Sequence, residues 1–213
     1  MSSLRAKVID TALKMNALGI NQGKAGNVSV RSGAGFLVTP TGMAYEHLQP
    51  EDIVSMQLDG THEGARLPSS EWRFHCDIFA QRAEIHAIVH THSVHATALA
   101  CLGRGIPAFH YMVAVAGGRD IRCAPYATFG TKELSDRALA ALAGRKACLL
   151  AHHGLIATGA DLDQALALAV EVEALAHIYL QTLHTGEPAL LGEEEMDRVL
   201  EKFKNYGQQA NKR

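Results

Sequence analysis

Side chains that can bind a divalent metal lie in three separate parts of the sequence. Glu71 follows a pair of serines, His90 and His92 are two residues apart, and His152 and His153 are adjacent. Imidazoles together with a carboxylate suit a zinc ion, and the carboxylate could also act as a base. This order of ligands is not one of the short, self-sufficient zinc patterns, and a single histidine is more often packed or solvated than a ligand. The metal prediction therefore depends on the fold bringing the three parts together.

Two apolar runs indicate how that could happen. Residues 87–92 are apolar and β-branched up to the first histidine, which predicts a buried strand. Residues two apart on a strand face the same side, so His90 and His92 can converge while Thr91 points away. The pair His152-His153 follows a second apolar run, residues 147–151. Because adjacent strand residues face opposite sides, we expect one member of this pair to reach the metal and the other to pack or to orient a neighbour.

Three short polar clusters could bind an anion. They are Gly26-Asn27, Thr41-Gly42 and Ser69-Ser70. Each has a simpler explanation, an ordinary turn or a helix N-cap. However, Ser69 and Ser70 stand directly before Glu71, at the start of a predicted helix, where free N–H groups and the helix dipole favour negative charge. This arrangement predicts a site that holds a phosphorylated substrate against the metal.

The remaining periodicity predicts an α/β protein. Helices are predicted over residues 4–18, 72–83, 94–101, 131–143 and 161–183, the second of them capped by Ser69 or Ser70. The longest carries a core-facing apolar stripe. Residues 27–31 and 35–39 flank a glycine turn and predict a hairpin, which argues against an all-parallel sheet.

Composition limits the possible classes of function. With 213 residues, 47% of them hydrophobic, the chain can build one sizeable core, and we expect a single domain over residues 1–213. A net charge of -2 gives no general attraction to nucleic acid or to anionic membranes. No 18-residue apolar span and no targeting segment are evident, and the four cysteines form no CxxC pair. We expect a cytoplasmic protein with reduced thiols and with neither nucleic acid nor membrane as a partner.

Several strings resemble the class II aldolase/adducin family. They are residues 21–31, Thr39-Pro40-Thr41-Gly42, residues 67–75, Val89-His90-x-His92, residues 106–112, residues 124–130, residues 152–157 and residues 200–207. The resemblance runs almost from end to end, and within the family it is strongest to the fuculose-type enzymes. It implies a three-layer αβα fold with a mixed, largely antiparallel central sheet.

The resemblance also implies an activity. It implies zinc-dependent cleavage of a ketose 1-phosphate to dihydroxyacetone phosphate and an aldehyde, with L-fuculose 1-phosphate or a related deoxy- or methylthio-ribulose 1-phosphate as substrate. One zinc ion per subunit would be bound by Glu71, His90, His92 and His153, with Glu71 also catalytic. A ribulose-phosphate 4-epimerase that uses the same bond cleavage is an alternative. A non-catalytic adducin-like binding domain is another, although the complete set of three histidines and Glu71 argues against it.

Further site residues follow from the same resemblance. The implied phosphate pocket consists of Asn27, Thr41, Gly42, Ser69 and Ser70. Phe129 would lie near the aldehyde end, Tyr206 would close over it, and Tyr111 would be a catalytic residue reaching the site from a neighbouring subunit of a C4 tetramer. One position departs from the pattern, since Lys24 stands where the fuculose-type enzymes have a small hydroxyl residue. Its ammonium group could bind the substrate phosphate or point to solvent.

Overall fold

The computed structural model describes residues 3–204, which form a mixed sheet covered by helices on both faces. The strands of the described part are β1 (Asn27–Ser32), β2 (Gly35–Val38), β3 (Val54–Met56), β4 (His62–Glu63), β5 (Ala87–Thr91), β6 (Cys123–Ala124), β7 (Ala147–Leu150) and β8 (Gly154–Gly159). Their order across the sheet is β4-β3-β2-β1-β5-β8-β7-β6. Neighbouring strands are antiparallel except for β6 and β7, which are parallel. The implied mixed, largely antiparallel sheet is confirmed.

The helices form two outer layers. They are α1 (Leu4–Ala17), α2 (Trp72–Gln81), α3 (Val94–Cys101), α4 (Lys132–Ala141), α5 (Leu162–Leu183) and α6 (Glu193–Phe203), together with a 3-10 segment at Tyr111–Ala116. The buried residues of α1, α3, α5 and α6 share one apolar cluster with one face of the sheet. Those of α2 and α4 share a second cluster with the other face. The result is the three-layer αβα architecture that the resemblance implied.

Strand alternation decides which side chains face α2. On β1, Val28 and Val30 join the apolar cluster on the α1 side, so Asn27 and Ser29 face α2. On β5, Ile88 belongs to the cluster on the α2 side. His90, two residues further along, lies on that same face and packs edge-on against Phe74 of α2, with 5.3 Å between ring centroids. The polar residues of β1 and β5 therefore meet the start of α2.

The predicted helices agree with the observed ones to within about two residues, but the start of α2 differs. Its N-cap is Glu71, not Ser69 or Ser70. Ser69 instead accepts a hydrogen bond from the Glu71 backbone N–H through Oγ, at 3.2 Å. This turn places the Glu71 carboxylate at the N-terminus of α2. The sequence did not predict β3, β4, β6, β8 or α6, because most of these strands are short and α6 buries only Met196 completely.

Helix α5 requires a correction to the sequence prediction. Within residues 3–204 it is the one helix that is long and apolar enough to cross a membrane by length and composition, although no apolar span of that length was expected. The apolar stripe on one face of the helix predicts a core helix instead. It packs against α3, β5 and β8, and its predicted stripe is buried, comprising Leu162, Ala165, Leu166, Ala169, Val172, Leu175, Ala176 and Tyr179. This contact pattern is that of a core helix.

Candidate active site

One carboxylate and three imidazoles converge where β5, the β7–β8 turn and α2 meet. His90 ends in the ladder of β5 and His92 follows it, His153 lies in the turn, and Glu71 caps α2. The ligand atoms of these four residues all lie within 4.8 Å of one another. Thr91 points to the opposite face of the sheet, as strand alternation requires. The structure thus brings together the side chains that the sequence singled out.

The pairwise distances in this cluster suit a small tetrahedral ion. His90 Nε2 lies 3.0 Å from Glu71 Oε2 and 3.1 Å from His92 Nε2, and His153 Nε2 lies 2.9 Å from Glu71 Oε1. Zinc with ligand bonds of ~2.0–2.1 Å holds its ligand atoms roughly 3.3 Å apart. The buried Oε1 atom of Glu71 has no hydrogen-bond partner despite its short contact with His153. A bound cation would satisfy this oxygen.

A hydrogen bond orients the His90 ring, and burial affects the ionisation of His92 and Glu71. His90 Nδ1 lies 2.8 Å from the carbonyl oxygen of Leu155, an acceptor, so this nitrogen carries the proton and Nε2 offers a lone pair. Burial, together with the nearby His90 and His153, lowers the pKa of His92 to about 4. Burial alone would raise the pKa of Glu71, but His90 and His153 outweigh it and hold that pKa well below its usual range. At neutral pH the cluster therefore contains a neutral His92 ring beside an ionised Glu71 carboxylate.

The adjacent histidines of the turn have different positions. His152 has a φ of 56°, the one positive φ of a non-glycine residue in the described part of the chain. Its exposed ring packs edge-on against Tyr126, with 5.9 Å between centroids, whereas His153 joins the cluster. The expectation that one member of this pair reaches the metal cluster agrees with this geometry, and His153 is that member.

Two residues that the sequence did not predict as part of the site, His75 and Ser29, lie behind Glu71 and are linked to it through Asn27. Asn27 Nδ2 donates a hydrogen bond to Glu71 Oε2 at 3.0 Å. The other end of the same carboxamide contacts His75, which in turn contacts Ser29. All four side chains are buried. The signal was present in the sequence, since polar Asn27 and Ser29 alternate with Val28 and Val30 on a strand.

The predicted anion-binding residues lie on neighbouring segments. The backbone N–H of Ser69 donates to the Thr39 carbonyl at 3.0 Å, and that of Thr41 donates to the Leu67 carbonyl at 3.1 Å. A cavity of about 440 Å³ lies there, lined by Thr41, Gly60, His62, Leu67, Pro68, Ser69, Ser70 and Trp72. Lys24 Nζ donates to the Gly42 carbonyl at 2.8 Å, so the ammonium group reaches the same turn.

The aromatic residues of the prediction are distributed differently. Phe129 is exposed beside Gly130, whose Cα packs so closely on Ser70 that a Cβ would lie 2.7 Å from the Ser70 carbonyl oxygen. Tyr111 is 51% exposed and lines a groove of about 580 Å³ with residues of α6. Within residues 3–204, no hydrogen bond or ring contact joins Tyr111 to the metal cluster. Tyr206 lies outside the described residues.

A cavity larger than the one beside Ser69 and Ser70 lies elsewhere. It has a volume of about 590 Å³ and includes Arg145, Lys146 and Thr158, at the ends of β7 and β8 remote from His153. None of the predicted site residues lines it. Cavity size therefore does not identify the candidate active site, whereas the convergence of ligand atoms does.

Comparison with known proteins agrees with this geometry. Residues 6–180 match the family model described as Class II Aldolase and Adducin N-terminal domain. A 5-methylthioribulose-1-phosphate/5-deoxyribulose-1-phosphate aldolase of Rhodospirillum rubrum is 59% identical over 98% of this chain and 94% of its own length. An L-fuculose phosphate aldolase of Escherichia coli O6:H1 is 56% identical over 97% of this chain and 96% of its own. A solved L-fuculose 1-phosphate aldolase superposes with a TM-score of 0.92 at 42% identity, covering 96% of this chain and 98% of that one.

Proposed function

Since the chain belongs to the class II aldolase and adducin family, we propose that it is an aldolase that cleaves a ketose 1-phosphate to dihydroxyacetone phosphate and an aldehyde. The observation that carries this proposal is the convergence of Glu71, His90, His92 and His153 within 4.8 Å. The carboxylate of this cluster is also at the start of α2, next to the serines of the anion cavity. A phosphate held there would place the substrate carbons beside the metal cluster.

The proposed cofactor is one zinc ion per chain. Imidazoles with a carboxylate at tetrahedral spacing favour zinc over magnesium or calcium, which prefer oxygen ligands. Bound by Glu71 and the three histidines, zinc would supply a Lewis acid for the ketose oxygens next to the bond that breaks. His90 is held in the correct tautomer by the Leu155 carbonyl, which keeps its Nε2 directed at the cluster.

Glu71 is the proposed proton carrier at carbon. When the C3–C4 bond breaks, its electron pair stays on C3 of dihydroxyacetone phosphate, and C3 then takes up a proton. The Glu71 carboxylate is buried and lies at the centre of the cluster, so it can exchange a proton there once substrate displaces it from the metal. Such an acid–base step contributes ~10²–10⁴-fold to the rate.

The substrate phosphate is proposed to bind at the turn that joins Thr41-Gly42 with Ser69-Ser70. Thr41, Ser69 and Ser70 line this cavity, and the N-terminus of α2 adds the favourable end of its dipole. Lys24 places a positive charge at the Gly42 carbonyl. The second N–H of the Asn27 carboxamide is available to the substrate, because only one is directed to Glu71.

The remaining elements complete the proposal. Phe129 contributes to the aldehyde end through the loop that packs on Ser70, and Tyr206 is proposed to close over it. Tyr111, whose ring is half exposed, acts in a neighbouring subunit of a C4 tetramer, where it exchanges a proton with the oxygen that becomes the aldehyde. The protein is proposed to act in the cytoplasm.

A product assay tests the function. Purified zinc-loaded protein is incubated with L-fuculose 1-phosphate, 5-deoxyribulose 1-phosphate and 5-methylthioribulose 1-phosphate, and dihydroxyacetone phosphate and the aldehyde are identified. We expect both products from at least one ketose, about one zinc per chain, and loss of metal and turnover in His92→Ala. Conversion of ribulose 5-phosphate to its C4 epimer without released aldehyde would identify the epimerase instead. A protein with neither metal nor turnover would be an adducin-like binding domain.

A further inference from the structure

A chain of three buried hydrogen bonds ends on the Glu71 carboxylate. Ser29 Oγ lies 2.6 Å from His75 Nδ1, and His75 Nε2 lies 2.5 Å from Asn27 Oδ1. Asn27 Nδ2 then donates to Glu71 Oε2 at 3.0 Å. Ser29 and His75 have no exposed surface, and Asn27 and Glu71 expose only 3% and 5% of theirs. Water cannot easily replace any member, so each contact must be made by these four residues.

The Glu71 carboxylate at one end and the neutral His75 ring together fix every proton in this hydrogen-bond chain. A carboxylate only accepts hydrogen bonds, so the NH2 end of the Asn27 carboxamide faces Glu71 and its oxygen faces His75. That oxygen only accepts, so His75 Nε2 must carry a proton. Burial lowers the pKa of His75 to about 3, so the ring is neutral and Nδ1 has a lone pair. The Ser29 hydroxyl donates to it. All donors therefore point from β1 and α2 toward Glu71.

We propose that His75 and Ser29 are positioning residues for Glu71, acting through the Asn27 carboxamide. Without a neighbour to orient it, the Asn27 carboxamide could turn either end toward Glu71, and its oxygen would repel the carboxylate. The proton on His75 Nε2 excludes that orientation, and the Ser29 hydroxyl donates to the Nδ1 lone pair of the same tautomer. Aligned donors also polarise one another, which strengthens the last bond to the charged oxygen. The role in catalysis rests on the proposed function, but the hydrogen-bond direction does not.

The first test is spectroscopic and uses zinc-free protein without substrate. Long-range 1H–15N spectra of 15N-histidine-labelled protein at neutral pH report which ring nitrogen of each histidine carries the proton. The signals of His75 are those missing from His75→Gln. We expect His75 as the neutral Nε2–H tautomer. A His75 ring protonated at Nδ1, or an imidazolium ring, would overturn the proposed direction of the hydrogen bonds from Ser29 to Glu71.

The second test separates positioning from simple packing. His75→Leu removes the N–H that donates to Asn27, whereas His75→Gln keeps one. Ile78→Ala perturbs the same helix at a buried position that takes no part in the hydrogen-bond chain. With zinc saturating, we expect His75→Leu to slow proton exchange at C3 of dihydroxyacetone phosphate by about 10- to 100-fold, with little change in KM. His75→Gln should recover most of the rate. Ile78→Ala should lose stability but exchange normally.

The outcomes separate this proposal from the proposed function. Equal exchange rates in His75→Leu, Ile78→Ala and the unsubstituted protein would show that His75 only packs. If His75→Leu does not fold, Ser29→Ala serves in its place, and an unchanged exchange rate there contradicts the proposal equally. Zinc-loaded unsubstituted protein that exchanges no proton would overturn the aldolase, while the tautomer of His75 in the spectra would still decide the hydrogen-bond chain.

Discussion

Gly154 approaches Thr91 so closely that a Cβ on residue 154 would lie 2.4 Å from the Thr91 carbonyl oxygen. The same Cβ would lie 2.9 Å from Cδ2 of His92. Thr91 pairs with Leu155 in the antiparallel ladder of β5 and β8, so its backbone cannot retreat without disrupting that pairing. The His92 ring can therefore occupy its position only because residue 154 is a glycine.

Gly154→Ala is accordingly expected to disturb the metal cluster. The added methyl group must displace the His92 ring or separate β5 from β8, since overpacking at a fixed backbone costs ~1–3 kcal/mol. We expect zinc affinity to fall at least about tenfold, as when a residue supporting a ligand is altered. Competition with a chromogenic chelator measures it. Gly192→Ala is the control, because a Cβ there meets no atom within 4 Å, and its zinc affinity should be unchanged.

The lowered pKa of His75 predicts how the free energy of unfolding of the zinc-free protein depends on pH. Its folded-state pKa of about 3 lies below the ordinary 6.5, so between these values the unfolded chain takes up a proton that the folded chain does not. The stabilising contribution is complete above about pH 6.5 and is lost as the pH falls toward about 3. Urea unfolding at a series of pH values should show a smaller loss of unfolding free energy in His75→Gln than in the unsubstituted protein. Equal losses would mean that His75 is protonated in the folded state.

Glu71→Gln separates metal binding from proton transfer. The three imidazoles remain, so we expect the variant to retain at least part of its zinc, measured by elemental analysis. An amide cannot accept the proton from carbon, so proton exchange in dihydroxyacetone phosphate should fall by about 10²-fold or more. The unsubstituted protein at equal zinc content is the reference. Exchange at the normal rate in the zinc-loaded variant would show that a different group is the base.

Much of this arrangement could be predicted from local sequence patterns. Strand alternation predicts that His90 and His92 face one side, and the helical stripe of α5 predicts its buried face. His153 could not be distinguished from His152 in this way, because the choice depends on the positive φ of His152 in the turn.

The hydrogen-bond chain behind Glu71 could not be predicted because it depends on tertiary contacts. Asn27 and Glu71 are 44 residues apart, and Ser29 and His75 are 46 apart. The family resemblance places Asn27 in the phosphate pocket, whereas its hydrogen bond to Glu71 depends on the packing of α2 against β1. Likewise, the N-cap role of Glu71 depends on the turn that Ser69 makes before α2.

Lys24→Thr tests the departure from the fuculose-type pattern. The ammonium group lies at the Gly42 carbonyl, on the turn proposed to bind phosphate. Because phosphate contact stabilises substrate and transition state alike, we expect KM to rise about fivefold with little change in kcat, corresponding to ~1 kcal/mol for an exposed charge. Lys7→Thr on the exposed face of α1 is the control. An unchanged KM for every ketose 1-phosphate cleaved would place the Lys24 ammonium group in solvent.

Tyr111 tests whether the active site is shared between subunits. Its ring is half exposed, and within residues 3–204 its hydroxyl group has no hydrogen-bond partner. If Tyr111 completes the site of a neighbouring chain, the Tyr111→Phe and Glu71→Ala proteins are each poor enzymes. A tetramer that contains chains of both variants can nevertheless form sites with Glu71 from one chain and Tyr111 from the next. In a closed C4 ring built at random from equal amounts, about a quarter of the sites receive both intact residues.

Co-refolding the two variants is therefore expected to restore about a quarter of the unsubstituted activity, whereas mixing them after assembly restores none. Native mass spectrometry establishes the tetramer and shows that hybrids form. A site built within one chain carries one lesion in every subunit, so hybrid formation cannot repair it. Hybrid tetramers no more active than the separate variants would show that Tyr111 does not act on a neighbouring site, and a protein that is monomeric at assay concentration would exclude the shared site directly.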